Sequence, residues 1–232
     1  MNITVDTRKF DQALKAFALV AKKDLEAAFR QQMKGVAEEL INVTPPSHKG
    51  VTGAAAKRHG EQAIINNISK LMIPVTVAGR RGKQRIDEKS GLTAEALYLK
   101  FRNPQSAGGR VNVRNLGRPY FIPAPEVNAL LRRLLSLVGT LSSGWVPAAL
   151  MLNAKVPGWV SRHSSGNGSA SIRRSPGQYL VRFANRIRFA SEVKGLERQI
   201  QFAFTRQTSK MENQIEAILT KAGRKAGFKT RG

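Results

Sequence analysis

The 232-residue chain contains no cysteine, and that one absence removes disulfide frameworks, cysteine-ligated zinc and iron–sulfur sites, and thiol nucleophiles. Aromatic residues make up only 6% of it, and most fall at spacings that suit a core, which argues against a platform for stacking unpaired bases. No window holds the roughly 18 consecutive apolar residues that a membrane span needs, and the segment MNITVDTRKF lacks the apolar run of a signal peptide. The expectation is a soluble protein, made in the cytoplasm, with no membrane partner. The most uneven shortage is of acid. Residues 96–191 carry fourteen Lys and Arg and a single carboxylate, Glu126, so this stretch holds more than half of a formal net charge of +24. By contrast, residues 1–95 have sixteen basic against ten acidic residues, and residues 192–232 nine against four. A field of this sign attracts phosphate or acidic protein, with an affinity that falls as salt rises.

What is present is mostly helical patterning. Apolar residues at Phe10, Leu14, Phe17, Ala21, Leu25, Phe29, Met33, Val36 and Leu40 step by three and four, which predicts one long amphipathic helix over 10–40. Asp6 or Thr7 is placed to cap it, and Pro45 with Pro46 ends it. A second helix is expected over 54–72, a strand at 73–78, and a short helix at 92–101 capped by Thr93. A strong helix over 126–141 starts at Pro125, and a further short one covers 144–152. The prolines and glycines of 103–125 read as an extended arm or hairpin, and residues 162–177, rich in Gly and Ser, as flexible unless a partner orders them. Residues 179–189 form an expected strand, with a bulge near Asn185. Val193, Leu196, Ile200, Phe204, Met211, Ile215 and Ile218 then mark a second long helix with a basic end.

These elements predict an α+β fold: two long terminal helices packed on a small, mainly antiparallel sheet, with a loop-rich basic insertion. The expected division is a core of residues 1–78 and 178–232, and an insertion of 79–177 containing a short helical hairpin.

Groups that would carry catalysis are not gathered by the sequence. His48, His59 and His163 stand in no metal-ligand spacing, and Asp87 and Glu88 sit beside Arg85 and Lys89 as local charge balance. No GxSxG elbow, GxxxxGK[ST] loop or GxGxxG turn occurs. No enzyme activity, cofactor or metal is expected. The candidate contacts to DNA or to an acidic partner are Arg80, Arg81, Lys83, Arg85, Arg173, Arg174, Arg186 and Arg188. Trp145, Trp159 and Arg162 are candidate interface anchors, since Trp and Arg are enriched at binding hot spots. For the tryptophans, pinning the insertion to its own domain fits equally well.

Three features resemble the minor tail, or tail-completion, proteins in the neck of long-tailed bacteriophages, the minor tail protein Z type. One is the long first helix ending in Val43, Thr44, Pro45, Pro46, followed by Thr52 and Gly53. Another is the block Gly144, Trp145, Val146, Pro147, Ala148, Ala149, continued by Pro157, Gly158, Trp159, Val160, Ser161, Arg162, His163. The third is a strand at Tyr179 to Phe183 running into a final long helix. The resemblance implies a structural virion protein, without catalytic residues, that forms a homo-oligomeric ring, often six-fold, joining head to tail. Its implied partners are neighbouring neck and tail-tube proteins, with nonspecific contact to genomic DNA in the channel. A nonspecific DNA-binding or packaging protein is the alternative that the charge alone suggests.

Overall fold

The computed structural model describes residues 8–48, 50–76, 92–103, 109–112, 117–163, 166–175, 178–188, 190, 193 and 195–226. The class is α+β. Two helices, α1 (Arg8–Val43) and α8 (Leu196–Lys225), dominate it, at about 54 and 45 Å by the rise per residue. They run antiparallel: Arg206 Nη1 lies 3.0 Å from Glu39 Oε1 and Lys221 Nζ 3.3 Å from Asp24 Oδ2. Ala21, Ala28 and Gln32 of α1 and Ala203, Gln207, Ala222 and Gly223 of α8 are buried. Gly35 lies against the Gln207 amide so closely that a Cβ there would come within 2.8 Å of its oxygen. Small side chains therefore let the two helices approach. This explains a departure from the expected face of α8: Phe204 stays 39% exposed and Phe202 65% exposed, while Ala203 and Gln207 turn inward.

Past the Pro45–Pro46 turn come α2 (Gly53–Leu71) and β1 (Met72–Val75), then α3 (Ala94–Phe101), β2 (Tyr120–Pro123) and α4 (Ala124–Ser136). Thr93 caps α3 as expected, its hydroxyl accepting from Ala96 N at 3.2 Å. β1 pairs with β2 in parallel, Met72 opposite Tyr120 and Pro74 opposite Ile122. Each edge of this two-stranded ladder is free of the ladder's own partners, so Pro74 is tolerated. Ile68, Leu71, Met72, Leu97, Ile122, Val127 and Leu130 form one buried cluster around it.

Three short helices follow: α5 (Thr140–Ser143), α6 (Val146–Met151) and α7 (Gly158–Ser161). A β-hairpin, β3 (Gly168–Ser175) and β4 (Gln178–Asn185), then leads to α8, with Gly168 paired to Asn185 and Ser175 to Gln178. The strands thus form two separate two-stranded sheets, one parallel and one antiparallel, instead of a single sheet.

Within 162–177 the partner that orders the chain is β4: β3 occupies much of the segment, and Ala170 and Ile172 pack on the core opposite Phe183 and Val181. The strand partner supplies burial that so few apolar residues could not provide alone. The second half of 79–177 also contributes to the burial of α1. Trp145, Val146, Ala148, Ala149, Leu152 and Val160 share one buried cluster with Val36, Ala37, Leu40 and Ile41 of α1. The ladder shows no bulge; it runs without interruption to Asn185, where β4 ends.

Candidate functional site

The end of the first long helix and the block that begins at Gly144 meet in space. Thr44, fully buried at the end of α1, donates its hydroxyl to Leu40 O at 2.5 Å and accepts from Trp145 Nε1 at 2.9 Å. Ser142 donates to Thr44 O and Pro45 O at 3.3 and 3.4 Å. Pro46 in turn abuts Gly60 of α2, where a Cβ would come within 2.8 Å of the proline ring. This joint ties α1, α2 and the α5–α6 turn together. Trp145, at 6% exposure, is therefore an internal tie and not a surface anchor.

Trp159 is partly buried against the same cluster, and its ring and carbonyl fill the space where Gly139, at φ 104°, has no side chain. Arg162 closes the end of α4, donating from Nη2 to Ser136 O at 3.3 Å and Val138 O at 3.1 Å, where a helix leaves carbonyls unpaired and a cation is favoured. Both residues expected at an interface hold the chain's own turns.

The hairpin is different. Its root is fixed on the α5 region: Asn185 Nδ2 donates to Leu141 O at 2.9 Å, Asn167 Nδ2 to Ser143 Oγ at 2.7 Å, and Arg186 N to Asn167 O at 2.8 Å. Gly168 sits so close to the Gly144 carbonyl that a Cβ would overlap it. Side chains alternate along each strand. Ala170, Ile172, Val181 and Phe183 are partly buried, and Ser171, Arg173, Leu180, Arg182 and Ala184 are exposed. The register sets Arg182 opposite Ser171 and Arg173 opposite Leu180, so the two guanidinium-bearing positions are diagonal neighbours on one face. Exposure continues at Arg186 and Arg188, with Ile187 partly buried between them against Leu141, Val193 and Leu196.

Elsewhere, five cations have carboxylate partners: Arg30 with Glu26, Lys57 with Glu61, Arg133 with Glu95, Arg206 with Glu39 and Lys221 with Asp24. No ion pair among the described residues involves Arg173, Arg182, Arg186 or Arg188. The carboxylate nearest in sequence, Glu192, lies outside the described residues, and Glu126 accepts from Ala94 N at 3.1 Å at the start of α3. Residues 127–191 contain nine Lys and Arg and no acid at all. The structure thus places Arg173 on one face with Arg182, which alternation with Phe183 marks in the sequence, and leaves Arg186 and Arg188 exposed just past the end of β4. Arg174 occupies the strand position opposite Tyr179. Arg80, Arg81, Lys83 and Arg85 lie outside the described residues.

Reactive groups do not converge elsewhere on the described surface. His48 and His59 stack with ring centroids 4.7 Å apart, and the His163 ring nitrogen Nε2 lies 3.2 Å from Val138 O and 3.0 Å from Arg162 Nε. Among the described residues no three His, Asp or Glu side chains are grouped to hold a metal ion, and no helix is long and apolar enough to cross a membrane. A groove of about 500 Å³ is lined by Asn213, Glu216, Thr220, Lys221 and Arg224 along a single helix. Burial raises the Tyr98 phenol above its usual value, partly offset by the charges of Arg102 and Arg133.

In comparisons with family models, characterised proteins and solved structures, the chain matches none.

Proposed function

We propose that this chain is a structural virion protein of the phage neck, which completes or terminates the tail and joins it to the head as a homo-oligomeric ring around the DNA channel. The observation that carries the reading is a division of the surface into two chemically opposite parts. One is the α1–α8 pair, which holds thirteen basic and eight acidic residues and exposes Leu19 (76%), Phe202 (65%) and Leu219 (42%). The other is the hairpin, whose Arg173, Arg182, Arg186 and Arg188 have no carboxylate partner among the described residues.

Copies of a chain carrying +24 repel one another. They approach most easily where carboxylates offset part of the basic charge and apolar side chains are exposed, which is the helix pair. A neighbouring copy is therefore the occupant assigned to that face, while the hairpins are left for a partner of opposite sign. The absence of converging reactive groups among the described residues fits an assembly role, and the Thr44–Trp145 joint makes the two motif blocks a signature of the fold. Partners on this reading are adjacent neck and tail-tube proteins, and the location is the virion.

Deleting the gene from the phage genome that carries it should yield lysates in which filled heads and finished tails accumulate unjoined under the electron microscope. Joined, infectious particles in the absence of the protein would sink the proposal.

A further inference from the structure

We propose that the outward face of the β3–β4 hairpin, formed by Arg173, Arg182, Arg186 and Arg188 beside Ser171, binds the phosphate backbone of duplex DNA. The inference names the partner of one surface of the proposed neck subunit and rests on that reading for its setting; the binding itself belongs to the hairpin.

Four exposed guanidinium groups without a carboxylate among the described residues need an anionic partner to relieve their mutual repulsion. On the strands, Arg173 and Arg182 are diagonal neighbours whose register cannot slide, because Gly168 and Asn185 lock the root onto Gly144 and Leu141. Arg186 and Arg188 follow the end of β4, both exposed, and carry the charge beyond the root. An extended set of cations suits a repeating charge. The Ser171 hydroxyl opposite Arg182 adds a neutral donor of the sort that accompanies arginine on phosphates.

The composition of the face separates duplex DNA from other anions. A protein partner would call for an apolar or aromatic centre, whereas the described outward positions offer only Leu180, 47% exposed, and Ala184. Single strands are held by stacking on aromatics, and Phe183, the described aromatic of the hairpin, packs inward on the core. What is left is contact with phosphate alone.

The test measures binding of a mixed-sequence duplex of about 30 base pairs by fluorescence anisotropy between 50 and 200 mM salt, a duplex spanning several helical turns. One variant combines Arg173→Gln, Arg182→Gln, Arg186→Gln and Arg188→Gln. A control with the same change in charge combines Arg58→Gln, Lys70→Gln, Arg132→Gln and Lys155→Gln, all at exposed positions. Four lost phosphate contacts lower the slope of log affinity against log salt by about 3.6, so that over this fourfold rise the natural protein loses about 150-fold more affinity than the hairpin variant. The control should stay within about one contact of the natural slope. Replacing the same four arginines by lysine should preserve the slope, which separates lost charge from a misfolded hairpin.

Equal loss of slope in the control and the hairpin variant would overturn the proposal, as would displacement of the duplex by polyglutamate of equal charge as readily as by unlabelled duplex. Particle mass, measured on the same samples, keeps the two readings apart. A hairpin variant that loses the slope but still assembles supports both. Natural protein that binds through the hairpin yet never assembles contradicts the neck reading alone.

Discussion

Replacing Thr44 by valine puts a methyl where a buried hydroxyl serves two partners, Leu40 O at 2.5 Å and Trp145 Nε1 at 2.9 Å. The shape is nearly kept, so little of the effect comes from a cavity. The Trp145 N–H is left buried without its acceptor, and an orphaned donor costs about 1–3 kcal/mol. Thr44→Val should therefore lower stability by about 2 kcal/mol, or roughly 4–8 °C in Tm for a chain of this size. Equilibrium denaturation in urea, fitted with an unchanged slope, measures it. Trp145→Phe completes the cycle: with the donor also gone nothing is orphaned, so the double variant should be less damaged than the sum of the two by about 1 kcal/mol. A loss below about 0.5 kcal/mol for Thr44→Val, the range of an indifferent surface change, would refute the claim that this hydrogen bond ties the motif blocks together. Strict additivity in the cycle would refute it equally.

Gly168→Ala forces a methyl group into the Gly144 carbonyl, so the hairpin must lift from its root. The expected cost is about 1–3 kcal/mol, with faster hydrogen exchange along β3 and β4; natural exchange rates in the variant would show that the close contact is not required. Tyr98 supplies a pH dependence. Burial raises its phenol above the usual value of 10.0, so the folded state keeps a proton that the unfolded chain releases. The associated stability is complete below pH 10 and is lost as pH rises through the folded value. Tyr98→Phe should flatten the alkaline limb of a stability–pH curve; an unchanged limb would assign it to other groups.

The helices were legible because their burial follows from spacing. The stripe from Phe10 to Leu40, the Thr93 cap and the Pro45–Pro46 stop all correspond to observed elements. What escaped depends on distant partners. Residues 120–123, set among prolines, form a strand only because β1 lies beside them in parallel. Residues 168–175 carry two apolar side chains, Ala170 and Ile172, and become ordered by pairing with β4. On α8, choosing the largest apolar residues selects Phe204, whereas close packing of two helices selects Ala203. The charged surface was legible as composition, in the acid-poor stretch. Its geometry was not, because which arginines share a face depends on the hairpin register. Trp145 and Arg162 looked like surface anchors for a similar reason: their partners, Thr44 and the end of α4, are far away in sequence.

On the proposed reading the helix pair, with thirteen basic residues against eight acidic, receives a neighbouring copy and builds a closed ring. Measuring the particle mass of the purified full chain by sedimentation, with electron micrographs of the same sample, tests this most directly. The predicted result is a discrete multiple of the 25.5 kDa chain appearing as rings, reduced to single copies when Leu19 and Phe202 are both changed to aspartate. A monomer at every concentration, or assembly unaffected by those two substitutions, would contradict it.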